Sequence, residues 1–259
     1  MTCSAARPAP ATTNVPAAAS RTSSATFDLY RNRAVTDLYE PGSVLKTITM
    51  ATALDLGLVT PGTTYFDSGT VEKGGYTFKN WDFSANGIQT MTQLLQKSLN
   101  TGAIWLSDLI GAEKLYASIE RFGFGESTHS GFGGEASGLL RTHKDSGWYP
   151  ADLATNSYGQ GIAATPLQVI TAISAVINGG NLMRPYIVEQ VQGPSGERSF
   201  DPVVVRRVIS EESSATMRKM LNDVVDGVQG PRAQVKGYSV GGKTGTTLVS
   251  IPTGYALDS

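Results

Sequence analysis

Tyr39-Glu40-Pro41-Gly42-Ser43-Val44-Leu45-Lys46 opens an apolar run that reaches Leu56 and meets Gly57. Pro41 and Gly42 are poor helix-interior residues and mark the approach to a helix, with Ser43 at its start. Val44, Leu45, Ile48, Ala51 and Leu56 then recur at roughly helical spacing, and Gly57 suits a stop. Ser43 and Lys46 therefore share one helical face, where side chains at this spacing sit about 5–6 Å apart between Cβ atoms. A serine hydroxyl attacks a carbonyl poorly unless a base takes its proton. Lysine can serve only when neutral, so its ordinary pKa of about 10.4 must fall through burial or a nearby positive charge. A short apolar helix supplies the burial, and its positive N-terminal end favours negative charge developing near Ser43. The same pair fits a serine N-cap with a solvated lysine one turn on, so other parts of the chain must decide.

Composition narrows the choice. The 259 residues suffice for one large domain or two small ones, with ample core. A formal net charge of −1 argues against a nucleic-acid partner or a polybasic membrane surface. Cys3 is the sole cysteine, so there is no disulfide framework, and His129 and His143 show no metal-ligand spacing. No cofactor is called for. Both histidines fall in a Gly/Ser-rich region, which makes a Ser-His-Asp triad hard to build. If the chain is a serine enzyme, lysine is the better base. Val169 to Ile177 is the best apolar run, and it is far short of the roughly 18–20 residues of a membrane span. Residues 1–26 are rich in Ala, Ser, Thr and Pro, lack a signal-type apolar stretch, and read as a disordered head.

Residues 27–259 read as one α/β (α+β) domain. Phe27 to Leu38 leads into the first helix. Strand-like residues with turns at Gly69 and Gly74-Gly75 follow Pro61-Gly62 and end near Trp81. Helices are expected over Thr90 to Leu99, Thr101 to Ile110, and Ala112 to Phe122. Residues 123–164 read as a long loop region, of the kind that is usually functional. Pro166 to Ile177 is predicted as a helix, with Gly179-Gly180 after it. Strands are expected over Tyr186 to Val191 and Val203 to Ile209. A helix capped by Ser210 should run to about Asp226, and a last strand should cover Val240 to Leu248.

Two further motifs bear on chemistry. Ser98-Leu99-Asn100 falls between two predicted helices, where it could aim a hydroxyl and an amide into a cleft. Ser84-Ala85-Asn86 has the same form in a polar loop and shows how easily the pattern arises. Lys243-Thr244-Gly245-Thr246 follows Gly241-Gly242 and offers a positive charge, two hydroxyls, and a glycine that lets a substrate approach the backbone. It also fits a solvated edge strand. The order Ser-x-x-Lys, Ser-x-Asn, Lys-Thr-Gly is nevertheless the set found in penicillin-binding proteins and related β-lactamases.

With these motifs in register, the sequence resembles the transpeptidase domain of class B penicillin-binding proteins, of the cell-division type given Glu40. Asn32-Arg33-Ala34-Val35, Gly134-Glu135-Ala136-Ser137-Gly138-Leu139 and Ser157-Tyr158-Gly159-Gln160-Gly161 with Thr165-Pro166-Leu167-Gln168 add to the resemblance. It implies a penicillin-binding protein/serine β-lactamase-like fold, with helices around a five-stranded antiparallel sheet. It further implies that Ser43 attacks the D-Ala-D-Ala carbonyl of a peptidoglycan stem peptide with Lys46 as base. Ser98, held with Asn100 near Lys243, would pass the proton to the departing D-alanine. Backbone N–H groups of Ser43 and Thr246 would form the oxyanion hole. Lys243, Thr244, Gly245 and Thr246 would line the carboxylate subsite. β-Lactams would leave Ser43 acylated. Cell-division membrane proteins are implied partners, and the outer face of the bacterial cytoplasmic membrane the implied location.

Several positions depart from the family pattern: Val44 and Leu45, Arg141 after Leu140, and Thr247-Leu248. The chain also reaches Ser259 too soon after Thr246 for the two strands and closing helix that the family carries. The expectation is a fragment incomplete at both ends, with an incomplete sheet. Three other functions fit parts of this pattern: an inert scaffold or division-complex binding module, a serine β-lactamase, and a D,D-carboxypeptidase.

Overall fold

The computed structural model describes residues 30–194, 196–227, 232–246, 249–251 and 254–256. The head over residues 1–26 and the departure at Thr247-Leu248 lie outside them. The chain divides into a unit ending at Arg31 and a second from Asn32 to Ser259, which holds every element below. No helix of the described residues is long and apolar enough to cross a membrane.

The Ser43 segment forms the centre of the molecule. After α1 (Arg33–Thr36), Gly42–Leu45 make a single 3-10 turn that runs into α2 (Lys46–Asp55). Every residue of α2 from Lys46 to Ala53 is buried. A helix enclosed on all sides must satisfy its polar groups internally. The three buried threonines do so: Thr47 Oγ1 donates to Val44 O, Thr49 Oγ1 to Ser157 O, and Thr52 Oγ1 to Ile48 O. Gly57 adopts φ +66°, a left-handed conformation that suits glycine, and the chain leaves the helix there. Leu56, expected on the apolar face, is 41% exposed, because it follows the last enclosed turn.

Around this helix stand α3 (Met91–Lys97), α4 (Asn100–Ile110), α5 (Ala112–Arg121), α6 (Pro150–Ser157), α7 (Pro166–Ile177) and α8 (Glu211–Asp226). Helix α2 packs against α4, α5, α7 and α8. The starts of α3 and α7 follow from reciprocal caps, Thr90 with Gln93 and Thr165 with Gln168. At α8, Ser210 Oγ accepts from Ser213 N, and Glu211 and Glu212 lie in the first turn, as the sequence predicts.

The long loop read over residues 123–164 contains α6. Pro150 at its first position and the Tyr149 N–H donating to Asp152 are helix-start signals that the surrounding glycines and serines mask. The antiparallel strands form five two-stranded ribbons among the described residues, rather than one five-stranded sheet. These pair β1 (Thr64–Asp67) with β4 (Gly87–Thr90), β2 (Thr70–Lys73) with β3 (Tyr76–Lys79), and β5 (Asn181–Met183) with β8 (Val204–Arg207). The others pair β6 (Gln190–Gly193) with β7 (Gly196–Ser199), and β9 (Val249–Ile251) with β10 (Gly254–Ala256).

The strand expected over Val240 to Leu248 is not formed by residues 241–246. A strand needs a ladder, and here the Gly242 N–H instead donates to Leu221 O on α8. Similarly, the strand expected at Tyr186 to Val191 begins only at Gln190, where the β6–β7 hairpin supplies a partner.

Candidate active site

Three segments distant in sequence converge beside the start of α2. Lys46, 1% exposed, extends its ammonium to the turn between α3 and α4. There it donates to Ser98 O (2.6 Å) and Asn100 Oδ1 (2.7 Å), with Ser98 Oγ at 3.2 Å. The Tyr158 ring lies over the same ammonium, 5.9 Å to its centroid. From the third segment, Lys243 Nζ approaches Ser98 Oγ at 2.8 Å. Ser98 thus stands between two lysines.

Local structure explains how each part is aimed. Ser98 ends α3 at φ +56°, ψ +45°, a left-handed conformation that few non-glycine residues adopt. It turns both the carbonyl and the hydroxyl of one residue toward the same ammonium. Asn100 donates its Nδ2 to Lys79 O at 2.8 Å, which leaves Oδ1 facing Lys46. Gly241 lets the third segment lie close on α8, since a Cβ there would come within 3.3 Å of the Leu221 carbonyl carbon as well as 2.9 Å from Asn222 Oδ1. A Cβ at Gly245 would come within 3.1 Å of Val44, so the Lys-Thr-Gly segment borders the Ser43 turn closely. Thr244, Gly245 and Thr246 are exposed, open to a ligand.

Ser43 is half-buried, and its hydroxyl is not hydrogen-bonded to Lys46. The backbone link is direct: the Lys46 N–H donates to Ser43 O and Val44 O. The Ser43 turn is fixed from the far side by the Ser157–Gly161 segment. Gly42 N donates to Gly159 O (3.0 Å) and Gly161 N to Glu40 Oε1 (3.0 Å). A Cβ at Gly159 would lie 2.2 Å from Gly42 O, so only glycine allows this approach.

The electrostatics favour an uncharged Lys46. Burial pushes its pKa well below the ordinary lysine value, and the positive Lys243 pushes it further. Burial also lowers Lys243, to about 8. Ser98 O and Asn100 Oδ1 can only accept, so they use two Lys46 N–H bonds. In the neutral amine the lone pair can then face a hydroxyl. Such a group can take a proton from a serine and return it through Ser98, with Lys243 holding the relay hydroxyl in place. Catalytic hydrogen bonds often tighten only with substrate bound, so the Ser43 geometry is compatible with this use.

The predicted residues therefore divide. The structure brings Lys46, Ser98, Asn100 and Lys243 into one hydrogen-bonded group, with Ser43 and Thr244–Thr246 along its border. Sequence reading overlooked Asp67 and Asn80, which lie behind Asn100. Their only local signal is Asp-x-Gly at a turn and the Lys79-Asn80-Trp81 strand end.

The family model of the penicillin-binding protein transpeptidase domain matches residues 8–255. The chain belongs to this family. Among curated members, it is 39% identical over 220 residues to Stage V sporulation protein D of Bacillus subtilis, covering 83% of the chain and 34% of that protein. It is 33% identical over 225 residues to peptidoglycan D,D-transpeptidase FtsI of Escherichia coli, covering 86% and 36%. A crystal structure of penicillin-binding protein 3 from Mycobacterium tuberculosis, complexed with aztreonam, superposes with a TM-score of 0.79. That match has 31% identity and covers 86% of this chain and 52% of the other. The chain spans between about a third and a half of the length of the curated relatives it matches. The expected transpeptidase fold of helices with antiparallel strands is thereby established.

Proposed function

We propose that this penicillin-binding transpeptidase domain crosslinks peptidoglycan stem peptides through an acyl-enzyme on Ser43, and that β-lactams acylate the same hydroxyl. The observation that carries this reading is the buried Lys46 amine, held by Ser98 and Asn100 with Lys243 on the Ser98 hydroxyl. Neutral Lys46 takes the Ser43 proton as Oγ bonds to the D-Ala-D-Ala carbonyl carbon. As the tetrahedral adduct collapses, the C–N bond breaks, Ser98 delivers its proton to the departing D-alanine amine, and protonated Lys46 restores the Ser98 proton and becomes neutral again. An amine of a second stem peptide then attacks the ester carbonyl, its proton passes to neutral Lys46, the C–O bond to Ser43 breaks, and Lys46 returns the proton to the Ser43 oxygen. Backbone N–H groups of Ser43 and Thr246 stabilise the oxyanion, each donor contributing about 3–4 kcal/mol in reactions of this type. Lys243, Thr244 and Thr246 receive the substrate carboxylate, and Gly245 keeps that strip of backbone open.

The proposed role extends to cell-wall synthesis on the outer side of the membrane with division proteins as partners; the name peptidoglycan D,D-transpeptidase borne by a relative supports its cell-wall part. The test is labelling with a fluorescent penicillin. The parent chain should take one equivalent, seen as a mass increment on the Ser43 peptide, and Ser43→Ala should take none. Sustained nitrocefin turnover in place of a single burst would make it a β-lactamase. Absence of Ser43-dependent labelling would make the chain an inert scaffold.

A further inference from the structure

Behind the Ser98–Asn100 turn lies a polar cluster that does not touch Lys46. Asp67, at the end of β1, is 0% exposed, and Asn80 is 1% exposed. The Asp67 carboxylate accepts from Thr101 Oγ1 (2.7 Å), Asn86 Nδ2 (2.8 Å), Gly69 N (2.9 Å) and Asn86 N (3.1 Å). It also accepts from Asn80 Nδ2, at 2.9 and 3.1 Å to its two oxygens. The remaining Asn80 N–H points at Ser84 O, 3.0 Å away. Turning the amide over would set its oxygen against a carboxylate, so chemistry fixes Asn80 Oδ1 on the opposite side.

On that side Oδ1 accepts the Asn100 N–H at 2.9 Å and the Thr101 N–H at 3.3 Å. These are first-turn donors of α4, whose own N-cap residue, Leu99, has no side chain able to cap. Asn80 is therefore the cap of α4, supplied from another element. Asn100 is held by its N–H on Asn80 and its Nδ2 on Lys79 O, which leaves its Oδ1 on Lys46.

We propose that Asn80, clamped by Asp67, is a positioning residue for acyl transfer: it sets the start of α4 so that Asn100 and Ser98 meet Lys46. This rests on the serine acyl-enzyme reading above. Ser84-Ala85-Asn86 acquires a role here, because its Asn86 side chain and its Ser84 carbonyl close the outer side of the clamp. The charged or titratable groups bordering the clamp are Tyr65, Asp82 and Lys97, the last through Asn86 Oδ1 at 3.0 Å. Lys46 itself faces Lys243 and the Tyr158 ring.

Asn80→Ala in the full chain tests this with two readouts. The first is benzylpenicillin acylation, with the rate constant at saturation separated from the encounter affinity. The second is the titration of the Lys46 Cε resonance in 13C-lysine-labelled protein, assigned with Lys46→Arg. The rate constant should fall roughly 10–100-fold, as for small misplacements of reacting groups, with affinity within about twofold. The Lys46 titration should move. A general loss of packing would lower the melting temperature without this split. An unchanged rate constant together with an unmoved Lys46 titration overturns the proposal. If Asn80→Ala does not fold, the partly exposed Asn86→Ala decides. It should slow acylation by roughly 2–5-fold and move the same resonance, and no change in either overturns the proposal. If the parent is not acylated at Ser43, the function reading fails, and the Lys46 resonance alone judges the positioning: movement sustains it, and none sinks it.

Discussion

Ser84-Ala85-Asn86 and Ser98-Leu99-Asn100 share one pattern, yet their asparagines serve different partners. Asn86 bridges the Asp67 carboxylate and Lys97, whereas Asn100 bridges the Lys79 carbonyl and the Lys46 amine. The serines differ as well. Ser84 Oγ donates to the neighbouring Asp82 at an exposed turn, while Ser98 is buried between two lysines drawn from distant parts of the chain. An amide is bipolar, so the partners at its two ends together fix its orientation. The difference lies in placement: Ser98 ends one helix and Asn100 begins the next, whereas Ser84 and Asn86 sit in a loop before β4.

The largest contrast should come from removing each serine hydroxyl. Ser98→Ala should reduce the penicillin acylation rate by roughly 100-fold or more, in the range of lost proton-transfer groups. Ser84→Ala, which loses the exposed bond to Asp82 and, toward the clamp, only the outer one to Asn86 at 3.2 Å, should change the rate by less than about twofold and alter stability by no more than about 0.5 kcal/mol. Stopped-flow acylation and thermal melts read both, and equal losses in the two variants would erase the distinction.

Charge gives a second, smaller contrast. Lys243→Met removes the positive neighbour that helps burial keep Lys46 neutral, so the Lys46 pKa should rise. Acylation needs the neutral amine, so its rising limb should move to higher pH in the variant. Affinity for the β-lactam carboxylate should also drop roughly 10-fold, as for a hydrogen bond to a charged group. A limb that stays in place would mean that Lys243 does not act on Lys46.

The smallest effect concerns stability at the other asparagine. Burial alone would raise the Asp67 pKa, but donors from Thr101, Gly69, Asn86 and Asn80 outweigh it and hold the value below the ordinary carboxylate range. A depressed folded-state pKa adds stability above the unfolded value of about 3.9, and that stability is lost as pH falls through the folded value. Asp67→Asn places an amide among donors. It should destabilise the fold by about 1–3 kcal/mol at pH 7 and flatten the acid side of the pH–stability curve. Urea unfolding between pH 2 and pH 7 measures this, and an unaltered acid slope would count against the clamp.

The chain announces its helices better than its site. Thr165 with Gln168, and Ser210 ahead of Glu211 and Glu212, are local signals, and α7 and α8 start where they indicate. Helix α6 carries the same kind of signal at Pro150 and Asp152, diluted by the glycines and serines around it. The Lys243 segment has the composition of a strand yet forms none over residues 241–246, because strand formation depends on a partner, which local sequence does not reveal. Ser43, Lys46, Ser98 and Lys243 stand out through the order of their motifs. Asn80 does not, since capping a helix from another element is a tertiary event with no periodicity to betray it.

Position 98 also has an evolutionary consequence. Glycine would occupy its backbone shape without the penalty of about 1–2 kcal/mol that a side chain brings there, and would delete the hydroxyl as well. A search for sturdier variants would favour Ser98→Gly, and selection for the proposed acyl transfer would discard it. Robustness and function therefore pull this residue in opposite directions.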